Sequence, residues 1–153
     1  QKRCRTRGVT NVHFLIGEAV EILRYLIPPS TIRIFHIYFP DPWPKTRHHK
    51  RRFITHETLA LLHGCLEPGG LVEIATDDDP YFESIQAAVA MTAPLWAAAA
   101  ERRNGRFVGS HNHKSHYELK YEAQGRMLHY LELKKAGSAD AELFSACGFA
   151  SSG

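Results

Sequence analysis

The hydrophobic pattern of the chain alternates between strand-like runs and stretches with helical spacing. Residues 9–16 and 71–75 have the pattern of short strands, and the apolar run Ile32–Tyr38 has no charge after Arg33, which is typical of a buried parallel strand. Apolar positions at helical spacing follow each strand and predict helices over residues 19–26, 55–66 and 81–90. This alternation of strands and helices predicts a parallel sheet with right-handed crossovers.

Several residues predict where helices begin and end. Thr55 is the expected N-cap of the second helix, and Pro68-Gly69-Gly70 is expected to end it. Ser115, with Glu118 three residues later, predicts a capping box at the start of a further helix. Gly125 is the expected left-handed stop of that helix.

The remaining segments define the expected domain boundary. Residues 91–100 are alanine-rich and fit no single element, and residues 102–114 predict a polar loop. Residues 126–134 predict an edge strand, and beyond residue 136 the chain is small and polar, which predicts a flexible tail. We therefore expect one α/β domain over residues 1–135 and a C-terminal tail over residues 136–153.

The composition indicates a single globular domain. Of the 153 residues, 44% are hydrophobic and 23% are charged, as in ordinary folded proteins. The formal net charge is only +3, so attraction for a polyanion has to come from a local cluster of charge.

Cysteine usage and hydropathy indicate the compartment. Cys4, Cys65 and Cys147 are odd in number and widely spaced, which fits neither a disulfide framework nor a paired-cysteine zinc site. The chain has no apolar run of about 18 residues and no signal-peptide core at its start. We therefore expect reduced thiols in a soluble, cytoplasmic protein.

The segment FPDPWPKTRHHKRR, residues 39–52, carries the strongest functional signal. Asp41 follows the predicted buried strand, at the end where ligands bind in open α/β sheets. Pro40 and Pro42 restrict the backbone on both sides of this carboxylate. A rigid acid beside a phosphate-attracting loop favours chemistry on a nucleotide within RNA or DNA over a solvated structural turn. The cationic side chains of this loop are Lys45, Arg47, Lys50, Arg51 and Arg52.

A second acidic group, residues 77–79, follows the strand predicted at residues 71–75. A carboxylate at the N-terminus of the next helix is favoured by the helix dipole, and we assign Asp78 to that role. Asp77 leaves the same sheet edge as Asp41 and can face the same cleft, which makes it a candidate base-binding acid. Trp43 can either stack on a base or anchor the loop by packing, and the sequence leaves both readings open.

Other catalytic constellations are absent from the sequence. Among its ten histidines, His111, His113 and His116 do not share a helical face and lack a completing ligand, so we predict no metal site. The chain has no serine nucleophile elbow, no Walker loop and no cysteine with a catalytic partner. It also has no glycine-rich loop after its first predicted strand.

Four motifs occur in the order of a known family. FPDPWPKTRHHKRR, EPGG, ATD and SHYELKYEAQG together resemble the tRNA (guanine-N7)-methyltransferase family, over about residues 11–133. The resemblance implies an α/β class I methyltransferase fold, which is a Rossmann-like parallel sheet flanked by helices. It also implies S-adenosyl-L-methionine as cofactor, tRNA as partner, and methyl transfer to guanine N7 in the tRNA variable loop.

The resemblance also implies roles for individual residues. It makes Asp41 the catalytic acid, and it places Glu18, Ala19 and Asp41 beside the cofactor. The substrate-binding positions that it implies are Lys45, Asp77, Ser115, His116, Tyr117 and Glu118, with Ser115 in place of the family's threonine. The RNA-contacting positions are Arg47, His48, His49, Lys50, Arg51 and Arg52.

The chain departs from the family at its front. The family's first strand ends in a glycine-rich cofactor loop and its second strand ends in a ribose-binding acid, and neither feature occurs here. The resemblance therefore implies a partial domain that lacks the N-terminal strands, and we expect this chain alone to bind the cofactor weakly. The alternative is a non-catalytic tRNA-binding chain that works with a partner subunit or as a homo-oligomer.

Overall fold

The computed structural model describes residue 4 and residues 6–103 and 115–137. Helices and strands alternate along this part of the chain, broadly as the sequence predicts. They are α1 (Ala19–Tyr25), β1 (Ile32–Tyr38), a 3-10 helix (Thr46–Arg51), α2 (His56–Cys65), β2 (Leu66–Thr76), α3 (Asp79–Met91), a short 3-10 helix (Ala93–Leu95), β3 (Trp96–Arg103), α4 (His116–Ala123) and β4 (His129–Lys135).

The four described strands form one sheet in the order β1-β2-β4-β3. β1 and β2 are parallel, whereas β4 runs antiparallel to both β2 and β3. The predicted parallel pairing of consecutive strands is thus confirmed for β1 and β2, whereas the described sheet as a whole is mixed. The flanking helices and this mixed sheet correspond to part of a Rossmann-like fold.

β4 does not lie at the edge of the sheet, as residues 126–134 were expected to do. It lies between β2 and β3, and Tyr130, Leu131 and Leu133 are almost fully buried there. Both of its neighbours are reached only through long-range pairing, which a local hydrophobic pattern does not reveal. The outer strand β3 includes residues 96–100, which the sequence left ambiguous, and it continues into residues 102–103, which were wrongly predicted to belong to a polar loop.

Residues 9–16 do not form the strand that their pattern predicts. They belong to no helix or strand of the described structure, and the exposed fractions of Phe14 and Leu15 are 48% and 58%. A strand needs a hydrogen-bonded neighbour, and β1 pairs with β2 alone among the described strands. The apolar pattern of residues 9–16 is therefore not matched by burial in this structure.

Capping residues set the limits of α2. Thr55 is its N-cap, and its side chain accepts a hydrogen bond from the Thr58 amide while Thr58 Oγ1 accepts one from the Thr55 amide. The helix ends at Cys65, three residues before the proline expected to stop it, and Pro68-Gly69-Gly70 lies within β2. The pairing register of β1 and β2 shifts in this region.

The close packing of backbone atoms around position 70 explains why this residue is a glycine. A Cβ atom at this position would lie 2.9 Å from Glu67 O and 3.0 Å from Arg33 O. Glu67 belongs to β2 itself and Arg33 to β1, so a side chain would require both a change in the β2 backbone and a wider spacing between the two strands.

The main core lies between the sheet and the helices α2 and α3. Its fully buried side chains come from both helices and from the two central strands, and they include Leu59, Leu62, Val72, Ile74, Tyr81, Ile85, Leu131 and Leu133. Within the described ranges, no helix is both long enough and apolar enough to cross a membrane.

Candidate active site and nucleic-acid interface

The two candidate acids leave the sheet at the same edge. β1 and β2 are parallel neighbours, with Tyr38 opposite Ala75 at their C-terminal ends. The pairing continues one step further, because the Phe39 amide donates to Ala75 O at 2.7 Å. The loops that carry Asp41 and Asp77 therefore start at adjacent positions, at the end of the sheet where α/β proteins bind ligands.

The loop that carries Asp41 has an unusual backbone. Phe39 has a φ of 51° and Trp43 a φ of 46°, which are left-handed values that bulky residues rarely adopt. Such conformations cost on the order of 1–3 kcal/mol each and require support from their surroundings. Asp41 Oδ1 supplies some of it by accepting a hydrogen bond from the Trp43 amide at 3.0 Å. The Asp41 side chain is otherwise directed to the exposed surface of the loop, since the residue is exposed.

The three consecutive aspartates have three different environments. Asp78 is the N-cap of α3 and accepts from the Tyr81 amide at 2.8 Å, as expected for a capping residue. The exposed Asp79 pairs with Nε2 of the buried His129. Asp77 pairs with Arg126, and only 14% of its side chain is exposed. Asp77 is thus the aspartate that lies partly enclosed without a capping role.

The basic run forms a short 3-10 helix directly after the Asp41 loop. Its cationic side chains at Arg47, Lys50 and Arg51 are exposed, as is Lys45 at its N-cap, and they can reach phosphates. His48 and His49 are half-buried. Arg52 differs from all of them because it is buried, with 8% exposure.

Trp43 has the anchoring role, which is one of the two roles that the sequence left open. The Arg51 guanidinium lies 4.9 Å from the centre of its ring, and His48 meets the ring edge-on at 5.7 Å. These contacts anchor the 3-10 helix to the Asp41 loop. The ring also forms part of a groove wall, so it is not fully enclosed by packing.

The motif in α4 is brought to the same edge by aromatic contacts. Phe39 lies 5.4 Å from Tyr121 and 6.1 Å from Tyr117, measured between ring centres. Tyr117 remains 54% exposed. The candidate substrate-binding positions of α4 are therefore held near the Asp41 loop through the residue that begins it.

Ser115 and Glu118 act together at the start of α4. Ser115 Oγ accepts from the Glu118 amide at 3.2 Å, and Glu118 Oε2 accepts from the Ser115 amide at 2.6 Å, which confirms the predicted capping box. Glu118 Oε1 also accepts from the Tyr130 hydroxyl at 3.0 Å. Glu118 thus ties α4 to β4, in addition to any contact with substrate.

A groove of about 780 Å³ lies between the N-terminus of α1, the 3-10 helix and the start of α2. Its wall includes Glu18, Ala19, Trp43 and Arg51, and its volume falls in the range of small-molecule sites. Glu18 is the N-cap residue of α1 but makes no side-chain capping bond. A carboxylate, an indole ring and cations in one groove suit a polar ligand with an aromatic part, which fits an adenosyl group. Asp41 is not part of this wall.

The first turn of α3 lies within electrostatic reach of Asp41. Burial raises the pKa of Tyr81, and the Asp41 carboxylate raises it further, while the Ile54 amide and the Arg52 guanidinium act in the opposite direction. The Tyr81 hydroxyl accepts a hydrogen bond from the Ile54 amide at 3.0 Å. Tyr81 is therefore a neutral, buried support beneath the Asp41 loop.

Two of the histidines considered for a metal site, His111 and His113, lie outside the described residues, whereas His116 is exposed at the start of α4. The described part of the chain contains no group of three potential metal ligands. Cys4 and Cys65 are free thiols, and burial raises the pKa of Cys65. Cys147 and residues 138–153 of the expected tail also lie outside the described residues.

Two arginines of the site could not be assigned correctly from sequence alone. Arg126 pairs with Asp77 across 49 sequence positions, and nothing local in the chain links them. Arg52 belongs to a run of cations whose other members are exposed, and such a run predicts exposure rather than burial. The one available signal was its position as the last residue of the run, next to the apolar Phe53 and Ile54.

The parallel strand pair, with acidic loops at its shared edge, a nearby groove and an exposed basic helix, places the candidate site where open α/β folds bind ligands. A solved structure supports the fold. A protein from Thermus thermophilus, described as a "putative DNA modification methylase", superimposes with a TM-score of 0.53 over 80% of this chain and 52% of that one. At 16% identity the match concerns the fold alone.

The chain belongs to the family described as "Putative methyltransferase" (Methyltransf_4), whose model matches residues 1–131. Curated relatives are named tRNA (guanine-N(7)-)-methyltransferase. The protein from Nocardia farcinica is 41% identical over 104 residues, which are 68% of this chain and 38% of the relative. The protein from Treponema pallidum strain Nichols is 38% identical over 135 residues, or 88% of this chain and 52% of the relative. The chain thus spans about half the length of such relatives, or less.

Proposed function

We propose that the protein containing this chain transfers a methyl group from S-adenosyl-L-methionine to N7 of a guanine in the variable loop of tRNA. The observation that carries the proposal is the shared sheet edge, where the loops of Asp41 and Asp77 begin side by side and an exposed basic helix follows. The names of the relatives support the same reaction and the same substrate. Such a protein would work in the cytoplasm, where tRNA is modified.

The two acids would recognise the base. Guanine presents adjacent N1–H and N2–H donors on one edge, and carboxylates accept from both. Asp77 already accepts from the Arg126 guanidinium, a planar group with comparable N–H donors. Adenine has a hydrogen-bond acceptor at N1, so its lone pair would face a carboxylate that also needs a donor. Binding by these two acids therefore favours guanine over adenine.

Alignment of the guanine with the methyl donor would supply most of the rate acceleration. Guanine N7 has an in-plane lone pair, so no base is needed to create the nucleophile, and the protein's task is to hold N7 in line with the methyl donor. S-adenosyl-L-methionine, when bound, supplies a methyl group activated by a sulfonium. Glu18, Ala19 and Trp43 of the groove would hold it, and the negative charge of Asp41 would offset the positive charge that develops on the base.

The remaining assigned residues would bind the tRNA. Lys45, Arg47, Lys50 and Arg51 are exposed and would contact phosphates, with His48 and His49 as additional donors. His116 and Tyr117 are exposed beside the Asp41 loop and would contact the nucleotide. Ser115 and Glu118 would hold α4 in position through their capping box.

The test uses tRNA transcripts altered at the target guanine, with the intact natural protein. 7-Deazaguanine keeps the donor edge but lacks the N7 lone pair, so we expect normal binding and no methyl transfer. Inosine keeps N7 but lacks the N2 amino group, so we expect slower transfer. Methyl transfer to the 7-deaza transcript at the normal rate would contradict the proposal, as would equal rates with inosine and guanine.

A further inference from the structure

Arg52 joins two parts of the site through one buried side chain. Its Nε atom donates to Pro42 O at 2.8 Å, in the loop that carries Asp41. Its terminal nitrogen donates to Ser84 Oγ at 3.0 Å and approaches Pro80 O at 3.5 Å, both in the first turns of α3. The two sides of the planar guanidinium thus contact two different segments of the chain.

The position of Arg52 is further fixed by Tyr81. The guanidinium carbon lies 4.9 Å from the centre of the Tyr81 ring, and Tyr81 is itself fully buried. Ser84 is held in turn, because its hydroxyl donates to Tyr81 O at 2.7 Å. Two partners of Arg52 in α3, Tyr81 and Ser84, are therefore held in place themselves.

The Asp41 loop needs such a restraint. Phe39 and Trp43 have left-handed backbones on the two sides of Asp41, and Asp41 itself is exposed. The hydrogen bond to Pro42 O acts between these two strained residues, at the position next to the carboxylate. A loop in this conformation relaxes readily unless contacts from outside the loop oppose it.

We propose that Arg52 is a positioning residue, which fixes the Asp41 loop against the start of α3 and does not bind tRNA phosphates. α3 begins at Asp79, two residues after Asp77, so the same side chain sets the two candidate acids relative to one another. The kinetic part of this inference rests on the proposed function. The structural part, that Arg52 holds the loop, does not.

The kinetic test compares Arg52→Met with Arg51→Met, its exposed neighbour, in the intact natural protein. Because Arg52 also lines the groove assigned to the cofactor, both tRNA and S-adenosyl-L-methionine are kept at saturating concentrations. For Arg52→Met we then expect single-turnover methyl transfer to fall ten- to a hundredfold, roughly the effect of misplacing a catalytic group by about 1 Å. The tRNA Kd should change less than about twofold, and the salt slope of binding should stay the same. For Arg51→Met the slope should become shallower by about 0.7 to 0.9, the loss of one phosphate contact.

Arg52→Lys separates positioning from charge. Lysine keeps the positive charge and can bind a phosphate, but it has no planar fork to join Pro42 O and Ser84 Oγ. We expect the lysine variant to be slow in methyl transfer with unchanged tRNA affinity. A shallower salt slope for Arg52→Met, together with normal methyl transfer by Arg52→Lys, would overturn the proposal.

A fluorescence measurement tests the structural part without tRNA or cofactor. Trp43 is kept as the single tryptophan, with Trp96 and any others replaced by phenylalanine, and its quenching by acrylamide is measured. Arg52→Lys should increase the quenching constant by about half or more. Val72→Ala, which removes buried methyl groups from the centre of the sheet, controls for a general loss of stability and should leave the constant unchanged. Equal quenching in the Arg52→Lys variant and its parent would show that Arg52 does not hold the loop.

Discussion

Replacing Asp41 with asparagine isolates the charge of the central acid. Asparagine has nearly the same size, and its side-chain oxygen can still accept from the Trp43 amide, which lies 3.0 Å from Asp41 Oδ1. Asp41 is exposed and makes no core contact, so stability should change by no more than about 0.5 kcal/mol. Any large effect on the reaction then reports on charge rather than on folding.

The expected loss of methyl-transfer rate in Asp41→Asn follows from Coulomb's law. A carboxylate roughly 5 Å from the positive charge that develops on guanine, at an effective dielectric constant of about 20, contributes about 3 kcal/mol. A tenfold change in rate corresponds to about 1.4 kcal/mol, so the methyl-transfer rate should fall by about a hundredfold or more. The tRNA affinity should remain nearly normal, because the exposed cations that bind the backbone are unchanged.

The assay is single-turnover methyl transfer, with tRNA binding measured in parallel. Asp78→Asn is the matched control, since it removes one charge from the neighbouring loop but keeps an efficient N-cap for α3. We expect Asp78→Asn to be nearly as active as the parent. A near-normal rate for Asp41→Asn, or a greater loss for Asp78→Asn, would refute the assignment of these acids.

Three further predictions concern the surface, the sheet and the pH dependence of stability. The four exposed cations around the 3-10 helix predict that log Kd for tRNA changes with log salt with a slope of magnitude roughly 3, and a flat response would exclude phosphate binding by this helix. Gly70→Ala forces a Cβ atom against two backbone oxygens and should lower the free energy of unfolding, measured by urea titration, by about 1–3 kcal/mol. Gly64→Ala in α2 is the control, because its Cβ atom would meet nothing within 4 Å and the change should be neutral or stabilising. Equal effects of the two substitutions would contradict the packing described. Burial lowers the pKa of His63 from its ordinary value of 6.5 in the folded protein. As the pH falls, His63 is therefore protonated in the unfolded chain before it is protonated in the folded one, and the contribution of neutral His63 to stability is lost below about pH 6.5. The drop in Tm between about pH 7 and pH 5.5 should therefore be smaller in His63→Gln, and an unchanged drop would count against this origin.

Local patterns predicted the elements that depend on neighbouring residues. The strand β1, the Thr55 N-cap and the capping box of Ser115 and Glu118 are all encoded within a few positions, and the structure confirms them. The predicted full burial of β1 is wrong, because this strand lies at the edge of the described sheet and its residues are partly exposed. The position of β4 in the sheet depends on pairing with strands more than 25 residues away in sequence, so the local pattern of β4 does not predict it. Residues 9–16 show the reverse case, since a strand pattern without a neighbouring strand does not produce a strand.

The candidate site divides in the same way. Asp78 was assigned to its cap because capping needs only the following turn, and the structure confirms it. The position of Asp41 and Asp77 at one sheet edge followed from the parallel pairing of consecutive strands. Which cation of the basic run would be buried, and which would meet Asp77, depends on where α3 and α4 pack, so Arg52 and Arg126 emerged only from the structure.

The most direct test of the central claim is the position of the transferred methyl group. Unmodified tRNA transcript is incubated with the intact natural protein and S-adenosyl-L-methionine that carries a labelled methyl group, then digested to nucleosides and analysed by mass spectrometry. The account predicts label in 7-methylguanosine, from a single guanine of the variable loop, and almost none with Asp41→Asn. Label on another atom or another base, or no label with a folded protein that binds both tRNA and the methyl donor, would contradict it.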